Sequence, residues 1–190
     1  AGMLIYQCAP IVRNCSFINN RARKGGAVYS MVATAMRQSS ANQRMPEFIN
    51  CTFENNYALA RGGAISNDLN THPVFMNCRF INNSCTEKGG AIYNDFSCSP
   101  TLVNCLFVGN KAFRAAAIGN DGASSPIITA CTFTQNVAED MGAALYQGTG
   151  PANNPIVTRS IIWGNICEDG PAEVYNWHDN NPSITHSCIE

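Results

Sequence analysis

One phrase recurs along this chain at a nearly constant interval, and that limits the folds open to it more than any other property. Asn14-Cys15-Ser16-Phe17-Ile18-Asn19-Asn20 returns as Asn50-Cys51-Thr52-Phe53-Glu54-Asn55-Asn56 and Asn77-Cys78-Arg79-Phe80-Ile81-Asn82-Asn83. It returns again at Asn104-Cys105-Leu106-Phe107-Val108-Gly109-Asn110 and Ala130-Cys131-Thr132-Phe133-Thr134-Gln135-Asn136, then more faintly from Arg159 to Asn165. A truncated copy ends at Cys188. From the anchor cysteine, or Ser160 in its place, the steps are 36, 27, 27, 26, 29 and 28 residues. A period in this range marks a stacked array whose units bury their faces only against their neighbours.

Two further phrases fix the kind of array. Gly25-Gly26-Ala27-Val28, Gly62-Gly63-Ala64-Ile65 and Gly89-Gly90-Ala91-Ile92 follow the first three anchors. Looser copies begin at Ala115, Gly142 and Pro171. Proline plus a β-branched or aromatic pair leads into several anchors, as at Pro10-Ile11-Val12, Pro73-Val74-Phe75 and Pro126-Ile127-Ile128. Each unit thus holds three short β-prone segments separated by Gly, Asn and Pro. Helical apolar spacing is sustained nowhere. The expected fold is all-β: a parallel β-helix of about seven coils, three short strands per coil, forming a rod about 33 Å long at strand spacing. Residues 1–190 read as a single domain.

Within the anchor, Cys and Phe lie two apart and face the same way. Stacking therefore predicts an interior column of Phe17, Phe53, Phe80, Phe107 and Phe133, with a cysteine column beside it. A second wall carries Val28, Ile65, Ile92, Ile118, Leu145 and Val174. The asparagines Asn20, Asn56, Asn83, Asn110, Asn136 and Asn165 read as tight corners and as a coil-to-coil amide ladder. The glycine pairs read as corners needing positive φ or close backbone approach.

The ten cysteines suggest a disulfide framework by number but not by position. Cys15, Cys51, Cys78, Cys105, Cys131 and Cys188 share one slot. Cys8 and Cys98 share another, and Cys85 and Cys167 a third, where other units carry Ala. A cysteine that alternates with Ala or Ser behaves as a small buried filler.

The paired phrases Phe-x-x-Asn and Gly-Gly-Ala-Ile resemble the repeats of chlamydial polymorphic outer membrane proteins and of related bacterial surface proteins. Phe17/Asn20 with Gly25–Val28, Phe53/Asn56 with Gly62–Ile65, and Phe80/Asn83 with Gly89–Ile92 carry the likeness, which weakens at Ala115–Ile118 and Ile162/Asn165. The resemblance implies a right-handed parallel β-helix, an extracellular or cell-surface bacterial setting, and adhesion to a carbohydrate or a host or cell-surface protein.

Composition narrows the function by exclusion. Charged residues are 13% and net charge is −1, which gives no electrostatic footprint for nucleic acid. No apolar run is long enough to span a membrane as a helix. The spacings of zinc sites and of a nucleophilic triad are missing around His72, His178 and His186. No cofactor is expected, calcium at an acidic column aside.

The candidate contacts are four. Lys24, Arg61, Lys88 and Arg114 precede the glycine phrases and would stack as a cationic edge for an anionic polysaccharide, or form a solvated turn. Asp68, Asp95 and Asp121 stack likewise. They are weak candidates for Ca²⁺, for an acid–base pair, or for ordinary turn residues. Trp177, beside His178 and Asp179, is a possible sugar platform. The long first coil carries its extra length over Met31–Pro46, with Arg37 and Arg44, in a place where solenoids insert binding loops. Both chain ends read as interior phrases, so a fragment of a longer solenoid, or end-to-end self-association, is expected. The polar residues mostly repeat in register, which favours a non-enzymatic adhesin-like scaffold over a polysaccharide lyase or glycoside hydrolase.

Overall fold

The protein is described by a computed structural model covering residues 1–32, 45–150, 153–170, 173–177 and 180–189. It is a parallel β-solenoid of about six turns. Among the described residues the strands fall into four sheets, three of seven strands and one of six. All strand pairs run parallel and join units one repeat apart, as in Phe53↔Phe80 and Ile65↔Ile92.

The leading sheet holds the segment after each proline, beginning at Ile11–Arg13. The anchor sheet begins at Ser16–Ile18, the basic sheet at Arg21–Lys24, and the glycine sheet, in this first full coil, at Val28–Met31. The sequence predicts three strands per coil, and the structure has four because the anchor phrase contains a corner. Asn19, Asn55 and Asn82 have φ of 57°, 53° and 52°, and Gly109, Gln135 and Gly164 continue the series. The left-handed backbone thus falls on the residue before the predicted corner asparagine. That frees Asn20, Asn56, Asn83, Asn110, Asn136 and Asn165 for the ladder alone. In each step one Nδ2 donates to the next Oδ1, for example Asn83 to Asn110 at 3.0 Å.

A second corner, between leading and anchor sheets, uses Asn14, Asn50, Asn77 and Asn104, again with positive φ. Their amides form an exposed ladder running the opposite way, Asn50 Nδ2 donating to Asn14 Oδ1 at 3.1 Å. Asn67, Asn94 and Asn120 make a third, buried ladder that ends on Gln147. The sequence reading contained only the first of the three.

Phe17, Phe53, Phe80, Phe107 and Phe133 stack with centroids 4.7–5.0 Å apart and rings within 7° of parallel. Phe48 and Phe75 meet this column edge-on at 5.7 Å. Cys51, Cys78, Cys105 and Cys131 lie in the same core with the aliphatic glycine wall. All ten cysteines are free, and six are buried. Within their column each thiol contacts the carbonyl two residues back, Cys105 Sγ lying 3.4 Å from Val103 O. Ser160 repeats that contact at 2.9 Å, which is why serine substitutes in the slot. The last copy is shifted by one residue from the sequence reading. Ile161 pairs with Cys188, and Ser160 N donates to Ser187 Oγ. Ser187 occupies the anchor slot, and Cys188 faces outward.

Both roles expected of the glycine pair occur, one per residue. Gly62 has φ +64°, and a Cβ on Gly63 would sit 2.0 Å from Gly90 O of the next coil. The basic sheet is therefore drawn tightly onto the corner, over a small core of Ala116, Ala138 and Ala143. At the fourth anchored coil the pattern inverts. Ala115 takes φ +60°, and Gly119 stands where the neighbouring coils carry Tyr93 and Tyr146. A Cβ on Gly119 would lie 2.8 Å from that of Ala115. The two slots share one space, so the coil with alanine at the corner has glycine in the tyrosine position.

Candidate functional site

The cationic edge and the acidic column, read from the sequence as separate features, form one ladder. The tight glycine corner folds the basic sheet's last residue over the outer face of the glycine sheet. Each cation there meets the aspartate of the following coil. Lys24 Nζ lies 3.2 Å from Asp68 Oδ2 and Lys88 Nζ 2.9 Å from Asp121 Oδ2. Arg61 pairs with Asp95. Arg114, in the inverted coil, pairs within the basic sheet with Asp140 at 2.5 Å.

Tyrosines complete the ladder. Tyr29 OH donates to Asp68 at 3.0 Å, and Tyr93 OH donates to Asp121. The cations lie over aromatic rings, Arg61 5.0 Å from the Tyr93 centroid and Lys88 5.3 Å from that of Tyr146. Asp68, Asp95 and Asp121 are buried beneath this layer. Burial, reinforced by Asp68, pushes the Tyr29 hydroxyl up to about 12. Burial and Asp121 push Tyr93 up further still. Asp95 is raised by burial, then by Asp121 and Asp68, against the opposing pull of the Phe96 amide and Arg61. Burial alone would lower Arg61, but Tyr93 and Asp95 outweigh it and hold the guanidinium up. The Asp140 hydrogen bond leads in raising Arg114.

As chemistry, this ladder is closed. Lys24, Arg61, Lys88 and Arg114 each have a carboxylate partner in the molecule, so the stripe presents paired rather than free positive charge. Among the described residues no three His, Cys, Asp or Glu side chains gather as a metal site. Trp177 is half-buried and lies beside the end of the tyrosine column, tilted at 6.2 Å from Tyr175 of its own coil. His178, Asp179, Arg37 and Arg44 lie outside the described residues. His72 Nδ1 accepts the Ser99 amide at 3.0 Å, and burial lowers its pKa.

One open feature among the described residues is a groove of about 610 Å³ on the outer face of the basic sheet. It runs from Tyr57 in the second coil to Glu168 in the sixth, about 19 Å at strand spacing. It crosses one of two places where the basic sheet is a residue short, the other being Arg21–Lys24 in the first coil. Lys111–Arg114 has four residues where Ser84–Lys88 and Val137–Met141 on either side have five. The register shifts on both flanks, between Cys85 and Lys88 and between Ala112 and Arg114. The shortfall is the 26-residue step from Cys105 to Cys131, which was visible in the sequence without pointing to a site.

Phe113 is exposed there, with the Arg114 guanidinium 5.3 Å from its ring. Tyr57 OH shares a 2.9 Å hydrogen bond with Thr86 Oγ1. Lys111, Glu139 and Glu168 also line the groove, and none of these three belongs to any of the four ion pairs. Among the described residues the stacked charges of the ladder are thus paired, and the three charges of the groove lie outside those pairs.

A parallel solenoid with these corners and stacked columns has a counterpart among known families, since the description "Right handed beta helix region" matches residues 1–189. The chain belongs to the right-handed β-helix family. No curated protein and no solved structure matches it. Family membership fixes the winding of this right-handed β-helix and leaves its activity to the side chains.

Proposed function

We propose that this right-handed β-helix is a non-enzymatic extracellular scaffold of adhesin type, which binds a carbohydrate or a partner protein along the outer face of the basic sheet. One observation carries the reading. The charges that repeat in register from Lys24 to Arg114 are neutralised by Asp68, Asp95, Asp121 and Asp140, while the groove over a shortened coil gathers Lys111, Glu139 and Glu168, which belong to none of those pairs. A repeat residue has a structural task in every coil. A departure that opens a concavity and leaves charges unpartnered has none.

The same groove supplies the one observation that favours an enzyme. Glu139 and Glu168 occupy equivalent positions in adjacent coils, as the Asp169 N–H to Glu139 O bond of 2.9 Å shows. Glycoside hydrolysis needs two carboxyls flanking a bond. It also needs environments that separate an acid from a base, and both glutamates are exposed to water alike. Binding is the better supported reading.

The test is adhesion of the purified protein to glycan and protein surfaces, compared with its Phe113→Ala and Lys111→Ala variants. Loss of adhesion in both, with an unchanged circular dichroism spectrum, is expected. Turnover of a polysaccharide that disappears in Glu139→Gln would reverse the assignment.

A further inference from the structure

Resting on the groove as the contact face, we propose that its ligand is an uncharged glycan chain rather than an anionic polysaccharide. The argument starts from the kinds of group left without a partner. Lys111 supplies a cation, and Glu139 and Glu168 supply two anions in neighbouring coils. A polyanion would meet two carboxylates, and a polycation would meet the ammonium. A hydroxyl is donor and acceptor at once and is suited by both signs together. A carboxylate accepts from two neighbouring hydroxyls, and an ammonium donates to their oxygens.

The apolar part of the groove fits the same class. Phe113 stands exposed between Lys111 and Glu139, its strand neighbours. An aromatic face offers a platform to the C–H side of a sugar ring while the edge groups hold the hydroxyls. Tyr57 and Thr86 already share a hydrogen bond at the far end, and each oxygen there has bonding capacity left for a hydroxyl. The groove's length, about 19 Å over five coils, suits an extended chain rather than a single monosaccharide. The four paired cations contribute no free charge to this surface, and its remaining cations, Lys111 and the Arg21 guanidinium 4.7 Å from the Tyr57 ring at one end, are matched in number by Glu139 and Glu168.

The experiment is titration calorimetry of the full chain with cellohexaose and mannohexaose, and with hexagalacturonate and hexalysine as charged counterparts. It is run at low and at moderate salt. Binding of a neutral hexasaccharide is expected, little changed by salt, because exposed charge–charge attraction is screened and neutral contacts are not. Phe113→Ala is expected to weaken it about tenfold, and Glu139→Gln/Glu168→Gln to weaken it further. Both sites are solvent-facing, so folding is checked by the unfolding midpoint. Binding of hexagalacturonate or hexalysine in preference to both neutral chains, with strong salt dependence, would overturn the ligand class while leaving the groove as the site. Binding to no neutral chain overturns the proposal. Adhesion insensitive to Phe113→Ala would remove the groove reading itself.

Discussion

Asn110→Ala tests whether the amide ladder holds the coils together or merely decorates the corner. Asn110 Nδ2 donates to Phe80 O and to Asn136 Oδ1, both at 2.9 Å. Its Oδ1 accepts from Asn83 N and Asn83 Nδ2, both at 3.0 Å. Alanine removes all four bonds. Asn136 Oδ1 keeps the Asn110 main-chain N–H, and Asn83 Nδ2 keeps Phe53 O. Two donors are left without partners: the Asn83 main-chain N–H and one N–H of its side chain, in a residue with 0% exposure. An orphaned buried donor costs about 1–3 kcal/mol, so the loss for two is about 2–6 kcal/mol. Asn20 is the internal control. Its side chain donates to Asn56 Oδ1 and to the exposed Ile18 O, and Asn20→Ala leaves the Asn20 N–H still bonded to Asn56 Oδ1. No buried donor is orphaned, and the expected cost is under ~1 kcal/mol. Urea unfolding measures both variants, and hydrogen exchange at the Asn83 amide reports locally. Equal costs in the two variants, or an Asn83 amide that exchanges no faster in Asn110→Ala, would refute the reasoning.

Three further outcomes follow from the same packing. Phe80→Ala removes a ring stacked on both sides and should cost about 3–5 kcal/mol, whereas Phe113→Ala on the surface should change the urea midpoint little. Tyrosinate absorbance should show Tyr29 and Tyr93 titrating above ordinary tyrosine. Because their folded pKa is raised, the stability they contribute is complete below the unfolded value near 10 and is lost as pH climbs towards about 12 for Tyr29. Alkylation of the native protein should label Cys8, Cys15 and Cys188, which are exposed. Burial raises Cys85 to about 11 and Cys98 to about 12, and both should stay unmodified until the chain unfolds, as followed by mass spectrometry.

The fold was legible because each column repeats its chemistry. Phe17 to Phe133 could be placed in one stack from spacing alone, and so could Val28 to Val174. The corners were harder. Asn19 and Asn20 are the same residue type, and the signal that the first takes positive φ is the glycine that replaces it at Gly109 and Gly164. The second, entering the next strand, turns inward and forms the buried ladder. Cys188 was misplaced for a related reason. Serine and cysteine fill the anchor slot equally well, and Ser187 lies beside it. The ion-pair ladder was half legible. The stacking of Lys24 with Arg61 and of Asp68 with Asp95 followed from the period, but their meeting did not. It depends on the corner folding one sheet's edge over another, which the glycine pair permits and no spacing reveals. The groove was least legible, since it runs over the shortened strand Lys111–Arg114 and no motif marks it.

A strictly repeating solenoid must tolerate its own neighbours, and that requirement exposes which residues do not belong to the scaffold. Like charges stacked at strand spacing repel by about 1 kcal/mol in water and by about 3–4 kcal/mol at an intermediate dielectric. A column of cations therefore needs interleaved counter-charges, and Asp68, Asp95, Asp121 and Asp140 supply them at every step from Lys24 to Arg114. Glu139 and Glu168 break this rule, being like charges in adjacent coils with no cation between them. Folding gains nothing from the arrangement. If the pair serves the groove and not the rod, Glu168→Gln should leave the unfolding midpoint unchanged or raise it, while weakening whatever the groove binds. If the midpoint falls by an amount comparable to that of a ladder variant such as Asp121→Asn, the two glutamates have a structural partner, and the division between a paired scaffold and an unpaired site does not hold.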